Sequence, residues 1–334
     1  MLCITHMGTI ISIKQLKSQW KIICVTLAGL VGMVLFCWLI CIPLVGKAFV
    51  IAGLPPLTGG IVAATMMNQA ALAKGLTVAA VLAIAMYAIQ GFVGYPLTAI
   101  VLKKEGKILL QKYENGERGV VGNEGVDNST GNMAVAEEVK KTLIPAVPDK
   151  YSTTAFVLGK LMLVAYLSSI ISKATGGRVN AAVITLILGI VFTELGFLDK
   201  NSLQKAGSYG FLMYLLMIFV FSGLKDATPQ MLGECIGPMA VIIVVGVTGM
   251  AIFSIAVGKV LKVNWRMSLA TSLTALYGFP PNYVLTEEAA KALARTPEEK
   301  EFLMDNMLPQ MLVGGFVTVT ITSVVIAGIF VNLI

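Results

Sequence analysis

Charge is scarce in this chain of 334 residues: Asp, Glu, Lys and Arg make up 13%, against 57% hydrophobic residues and a mean hydropathy of +0.84. Soluble domains carry roughly 25% charged residues, so a soluble fold would have far too dry a surface. Histidine is nearly absent: His6 is the only one. Five cysteines form neither a CxxC pair nor a metal-ligand spacing with it. Cys24, Cys37 and Cys41 share one apolar run and read as reduced packing residues. There is no HExxH, no DDxxD and no pair of aspartates within an apolar run. The usual signatures of an intramembrane protease or prenyl transferase are therefore missing, and the chain is not expected to be an enzyme or to carry a cofactor. The net charge of +7 forms no stripe with interleaved aromatics but sits between apolar runs. That placement argues against nucleic acid and for juxtamembrane anchoring. The first twenty residues do not show the basic start, apolar core and small-residue cleavage site of a signal peptide, so insertion is expected to rely on the helices themselves.

Long apolar runs are what the chain has in abundance. Trp20 to Gly46, Thr77 to Leu102, Thr154 to Ala174, Val179 to Leu198, Gly207 to Leu224, Gly237 to Leu261 and Phe302 to Ile334 each approach the roughly 20 residues that a bilayer core requires. Two further runs, Ala48 to Lys74 and Met267 to Leu293, are interrupted by Pro and Gly. Proline removes a backbone donor and glycine tolerates unwound angles, so each is expected to be a discontinuous helix or a re-entrant hairpin. A polar stretch with few aromatics, from Lys103, reads as a solvated linker.

Gly53-Leu54-Pro55-Pro56 returns about 225 positions later as Gly278-Phe279-Pro280-Pro281. Each follows an apolar run that is itself preceded by an amphipathic stretch, Gly8 to Trp20 and Ser222 to Glu234. The expected architecture is all-α and polytopic, with two inverted repeats and paired re-entrant helices. Residues 1–102 form an incomplete first repeat, 103–152 a linker and 153–334 the second repeat. Three spans precede Ser222 and none precedes Gly8, so seven crossings and two hairpins are expected, with homologues that begin about three helices earlier.

Basic residues orient this arrangement. If both broken runs return to the side they entered from, lysines and arginines concentrate on the side of the linker much more strongly than if both cross. The positive-inside rule then makes the linker cytoplasmic and the C-terminus external, in the plasma membrane. Lys160 lies inside a span and is expected to snorkel.

Unwound backbone persists at membrane depth only where it lines a cavity or is buried in protein. Two breaks meeting near the midplane would offer helix N-termini to an anion and free carbonyls to a cation. The expected substrate-binding set is Thr58, Gly59, Gly60, Thr65, Asn68, Tyr277, Gly278, Pro281, Asn282 and Thr286. The expected ion-binding set is Gln69, Ser272, Thr274 and Glu287. The alternative for the pair is two ordinary proline kinks in close-packed helices. Glu287 and Glu288 read equally as functional acids or as the acidic first turn of a helix capped near Thr286. Asp305 and Asn306 are expected at the interface.

The order of parts from Gly8 onward resembles the bacterial sodium/glutamate symporter family, within the inverted-repeat anion symporters that include citrate and bile-acid carriers. The resemblance rests on Leu57-Thr58-Gly59-Gly60-Ile61-Val62-Ala63-Ala64, on Gly94-Tyr95-Pro96-Leu97, on Gly278-Phe279-Pro280-Pro281-Asn282 and on Met307-Leu308-Pro309-Gln310-Met311-Leu312-Val313-Gly314. The chain departs from the family at Ile61 and Val62, where a histidine and further glycines are typical, and at Thr318, where an acid is expected. The resemblance implies a secondary transporter in which sodium or protons drive symport of glutamate or a related organic anion, with a homodimer as the assembly to test. A non-transporting membrane remnant or sensor is the other reading that stays open, and an intramembrane enzyme the weaker third.

Overall fold

A computed structural model describes residues 1–10, 19–115, 144, 152–174, 181–222, 227–278 and 281–334. Among them 86% are helical and none is in a strand. The helices, in chain order, are α1 (Leu2–Ile10), α2 (Trp20–Val45), α3 (Lys47–Leu57), α4 (Ile61–Ala73), α5 (Thr77–Glu114), α6 (Thr154–Ala174), α7 (Ala181–Glu194), α8 (Ser202–Lys205), α9 (Tyr209–Ser222), α10 (Pro229–Val260), α11 (Trp265–Leu273), α12 (Pro281–Leu293) and α13 (Pro297–Phe330). Five of them, α2, α5, α6, α10 and α13, are long and apolar enough to cross a bilayer. The chain is therefore a multi-pass, all-α membrane protein. The apolar runs predict seven crossings; α7 and α9 have 14 described residues each, about 21 Å at 1.5 Å per residue, and each adjoins residues outside the described set. Most of the linker, most of the stretch from Gly8 to Trp20 and residues 223–226 lie outside the described residues.

Chain contacts divide the molecule into two units, Met1–Ser12 with Asn132–Lys225, and Ile13–Gly131 with Asp226–Ile334. In the first unit α1 lies against α7 at a contact between glycines. A Cβ added to Gly8 would fall 2.8 Å from the Gly189 backbone. Leu161, Val164, Leu198 and Leu203 form the adjoining core. The four-residue α8 is capped from α1: Thr9 Oγ1 accepts from the Ser202 amide and His6 Nδ1 from the Leu203 amide, each at 3.4 Å. Lys160 does not snorkel. It is buried, and its Nζ donates to Asp199 Oδ2 at 2.5 Å, while Lys205 reaches Oδ1 at 2.8 Å. Burial works to raise the Asp199 pKa, but the hydrogen bonds and charges of the two lysines outweigh it and hold the carboxyl below its ordinary value.

The second unit is organised by an antiparallel crossing of α2 and α10. A Cβ at Gly32 would sit 2.4 Å from the Gly249 carbonyl oxygen, and one at Gly249 2.6 Å from that of Gly32. Only glycine lets the two backbones approach this closely. One turn further along each helix, Phe36 and Phe253 meet edge to face with centroids 6.2 Å apart. Helix α2 carries a π turn at Cys37–Cys41 just before Pro43, whose missing donor and bulky ring disturb the preceding turn.

Helix α5 does not stop at Leu102, where the sequence reading ends the span. It continues through Lys103 to Glu114. The extension is amphipathic: Leu102, Glu105, Gly106 and Leu109 are buried on one face, against Met267, Ala290, Leu303 and Met307 of the neighbouring helices. Lys, Glu, Leu and Gln are also good helix formers, so polarity here marks a partly solvated helix rather than a coil.

Candidate functional site

Two helix breaks meet inside the second unit. The first lies between α3 and α4. Thr58 ends α3, with its hydroxyl donating to the Pro55 carbonyl at 2.6 Å. Gly59 then adopts φ +89°, and Gly60 leads extended into α4. The second follows α11. Thr274–Leu276 tightens into a 3₁₀ turn, Gly278 adopts φ +66°, and α12 begins at Pro281. Phe279 and Pro280 lie outside the described residues. Positive φ is the reason for glycine at both 59 and 278.

The breaks touch directly. A Cβ at Gly59 would fall 2.1 Å from the Ala275 carbonyl oxygen, and Val319 stands beside both glycines, 2.8 Å from such an atom at Gly59 and 2.9 Å from one at Gly278. Gly60 faces Ser323 in the same way, at 2.5 Å from its hydroxyl. Val319 belongs to a π turn, Phe316–Thr322, in the middle of α13. This stretch is rich in Val and Thr, whose branched side chains crowd a regular α-helix. Extra-residue turns of this kind are frequent at functional sites.

Polar groups at the junction are largely engaged with local backbone. Thr274 Oγ1 donates to the Thr271 carbonyl and lies 3.4 Å from Thr318 Oγ1, which in turn reaches the Gly314 carbonyl at 2.8 Å. Asn282 Nδ2 donates to the Met311 carbonyl at 3.1 Å, and Thr286 Oγ1 to the Asn282 carbonyl at 2.7 Å. Tyr277 donates its hydroxyl to Thr98 on α5 at 2.9 Å. The Ser272 hydroxyl is buried and, among the described residues, without a partner; it is directed toward Gly29 on α2.

The structure therefore gathers Thr58, Gly59, Gly60, Thr274, Tyr277, Gly278, Pro281, Asn282 and Thr286 around the breaks. It does not bring the rest of the expected set there. Thr65 is partly buried and bonds to the Val62 carbonyl one turn back. Asn68 lies two turns down α4 and ties it to α5 through the Ala80 carbonyl at 2.9 Å. Gln69 is exposed. Glu287 is not in a first helical turn: α12 already begins at Pro281, which puts Glu287 in mid-helix. Its carboxylate accepts from Lys291 and Lys300, each at 3.1 Å, in a network at the surface rather than at the break.

The described prolines are not equivalent in place. Pro55 and Pro56 lie inside α3, ahead of its break, whereas Pro281 stands at the start of α12, after its break. The conformational counterparts are Gly59 and Gly278. Sequence reasoning also passed over Ala275, Val319 and Ser323. Ala275 and Val319 carry no polar signal, and only the β-branched run of α13 marked its neighbourhood.

Polar backbone at the breaks, two helix starts (α4 and α12) and the hydroxyls of Thr58, Thr274, Thr318 and Ser323 are what this region offers. Among the described residues no group of His, Cys, Asp or Glu is suited to a metal ion. No protein-family model matches the chain, and no curated protein matches it either.

Proposed function

We propose that the chain is a secondary active transporter in which sodium or protons drive symport of a small organic anion across the plasma membrane. The observation that carries this reading is the direct contact of the two breaks, Gly59 against the Ala275 carbonyl, in the interior of one unit. Irregular backbone is costly in a membrane protein and is kept where it is buried in protein or lines a cavity, and paired breaks of this kind form the solute sites of transporters. The helix starts at α4 and α12 favour an anion there, and carbonyls freed by the breaks favour a cation.

Internal repetition supports the same reading. Gly29, Gly32, Met33 and Phe36 of α2 recur as Gly246, Gly249, Met250 and Phe253 of α10, 217 positions on, and Gly59 recurs as Gly278 after 219. The chain thus reads as two repeats registered on the α2–α10 crossing, with α3–α4 and α11–α12 as their re-entrant hairpins, the linker cytoplasmic and the C-terminus outside. Both breaks belong to the second unit, which makes it the candidate moving body of an elevator or rocking cycle. Resemblance to the sodium/glutamate symporters makes glutamate and related dicarboxylates the first substrates to try.

The test is uptake by the purified chain in liposomes, with labelled glutamate, succinate and citrate under imposed sodium or proton gradients. Accumulation that collapses with the gradient supports the proposal. Absence of uptake for every anion under either gradient contradicts it.

A further inference from the structure

One end of the second unit carries an unusual concentration of exposed cations. Asn264 Nδ2 donates to both carboxylate oxygens of Glu105, at 3.0 and 2.8 Å, and Arg266 Nε donates to Oε2 at 2.6 Å. These bonds fasten the turn between α10 and α11 to α5. Around them stand Lys103, Lys104 and Lys107 on α5 and Lys259 and Lys262 at the end of α10, all exposed. Val263 packs against the cluster of Ile22, Val313 and Val317, which brings Lys21 of α2 to the same end. The acid in their midst, Glu105, is taken by Asn264 and Arg266. The acids Glu287, Glu288 and Glu114 lie instead with Lys291, Lys300 and Arg295 of the α12–α13 side.

Two tryptophans share this level: Trp20 is 51% exposed and Trp265 44%. The opposite end of α5 is fixed by Cys235 Sγ, which reaches the Val78 carbonyl. From Val78 to Glu105 the helix rises about 40 Å, which takes the collar past a hydrocarbon core of about 30 Å to the depth of the headgroups. Exposed tryptophan beside lysine is the composition of a membrane–water interface, and the positive-inside rule turns this end toward the cytoplasm.

We propose that this collar, Lys21, Lys103, Lys104, Lys107, Lys259 and Lys262 with Trp20 and Trp265, is a binding surface for the phosphate headgroups of anionic phospholipids. Clustered lysines at the end of a span attract an anionic leaflet, each contributing separately. Because Asn264 caps α11 and also holds Glu105, lipid on the collar braces the outer end of the helix that leads into the second break. The surface stands on the membrane assignment and not on transport, so it is tested without a substrate.

The experiment compares retention of phosphatidylglycerol and phosphatidylcholine on the purified full chain by native mass spectrometry during delipidation. Wild type keeps phosphatidylglycerol preferentially. Replacing one collar lysine by Gln weakens the preference by about fivefold at most, and replacing all six abolishes it. Substituting Lys47 and Lys74 by Gln, at the opposite end of the second unit, leaves it unchanged. Inorganic phosphate at ~10 mM does not displace the lipid, whereas ~0.5 M salt, which screens charges beyond a few Å, removes the preference in the wild type itself. Any of four results overturns the proposal: preference retained in the sixfold variant, equal loss in the control variant, displacement by free phosphate, or insensitivity of the wild type to salt. The salt measurement decides the matter if the sixfold variant does not fold.

Discussion

The two broken segments solve one problem by different means. The first, α3 to α4, contains no charged side chain between Ala48 and Ala73, and every residue from Val50 to Ala64 is buried. It is held by apolar contact and the uncharged Asn68–Ala80 hydrogen bond, with two prolines ahead of the break and a glycine pair in it. The second, α11 to α12, is anchored at its outer ends by polar chemistry: Asn264 and Arg266 on Glu105 at the entry, Glu287 with Lys291 and Lys300 at the exit. The proline that opens α12 follows the break instead of preceding it. Apolar burial fixes a segment without reference to salt or pH, while the buried Glu105–Arg266 pair must stay complete to remain favourable. A pair of breaks in contact can therefore differ in what perturbs them, and the second is the one that substitution of charges will loosen.

The largest effect is expected at the contact itself. Gly59→Val places a branched side chain at φ +89° and against the Ala275 carbonyl; the backbone strain alone is about 1–3 kcal/mol. Uptake should fall to background while the protein still inserts, read by liposome flux and membrane fractionation. Next comes the anchor of the second segment. Glu105→Ala leaves Arg266 and Asn264 without their acceptor, at a cost of about 3 kcal/mol, visible as a lower thermal midpoint; Glu105→Gln, which keeps an acceptor for Asn264, should lose less.

A reference point outside both segments is Asp199. Its folded pKa lies below the ordinary 3.8, so its contribution is full above that value and is lost as pH falls through the lower folded one. Acid titration of unfolding should show that step in wild type and lack it in Asp199→Asn. Asn282→Ala removes the buried bond to the Met311 carbonyl and the side-chain acceptor of the Tyr283 amide, and should cost about 1–2 kcal/mol with a measurable drop in uptake rate. Lys300→Gln should be the smallest, with no resolvable change in thermal midpoint, because its partner Glu287 keeps Lys291. A large loss there would erase the distinction between inner break and outer network.

Much of this was legible in the residues. Low charge and long apolar runs point to the all-α membrane class, and Pro and Gly inside two of those runs locate both breaks. The details that escaped have physical causes. Matching Pro-Pro pairs misled the register, because proline suits both a strained helix interior and a first helical position; positive φ at Gly59 and Gly278 defines the breaks, and a sequence does not display φ. Polarity at Lys103 suggested a coil, since amphipathic helix and linker share composition over a dozen residues. Asn68 and Glu287 attracted attention as polar residues in apolar company, yet each is satisfied by a neighbour remote in sequence, Ala80 and Lys300. Ala275 and Val319 were invisible because what they contribute is a backbone oxygen and a shape.

If solute passes the contact between the two breaks, a cysteine at Ala275 lies in its path. In liposomes containing Ala275→Cys, the rate of alkylation by a small maleimide is measured with and without an anion that the protein takes up, at fixed sodium and pH. Labelling should be slow, and the transported anion should suppress it at the concentration that half-saturates uptake. Labelling unchanged by every transported anion would contradict it.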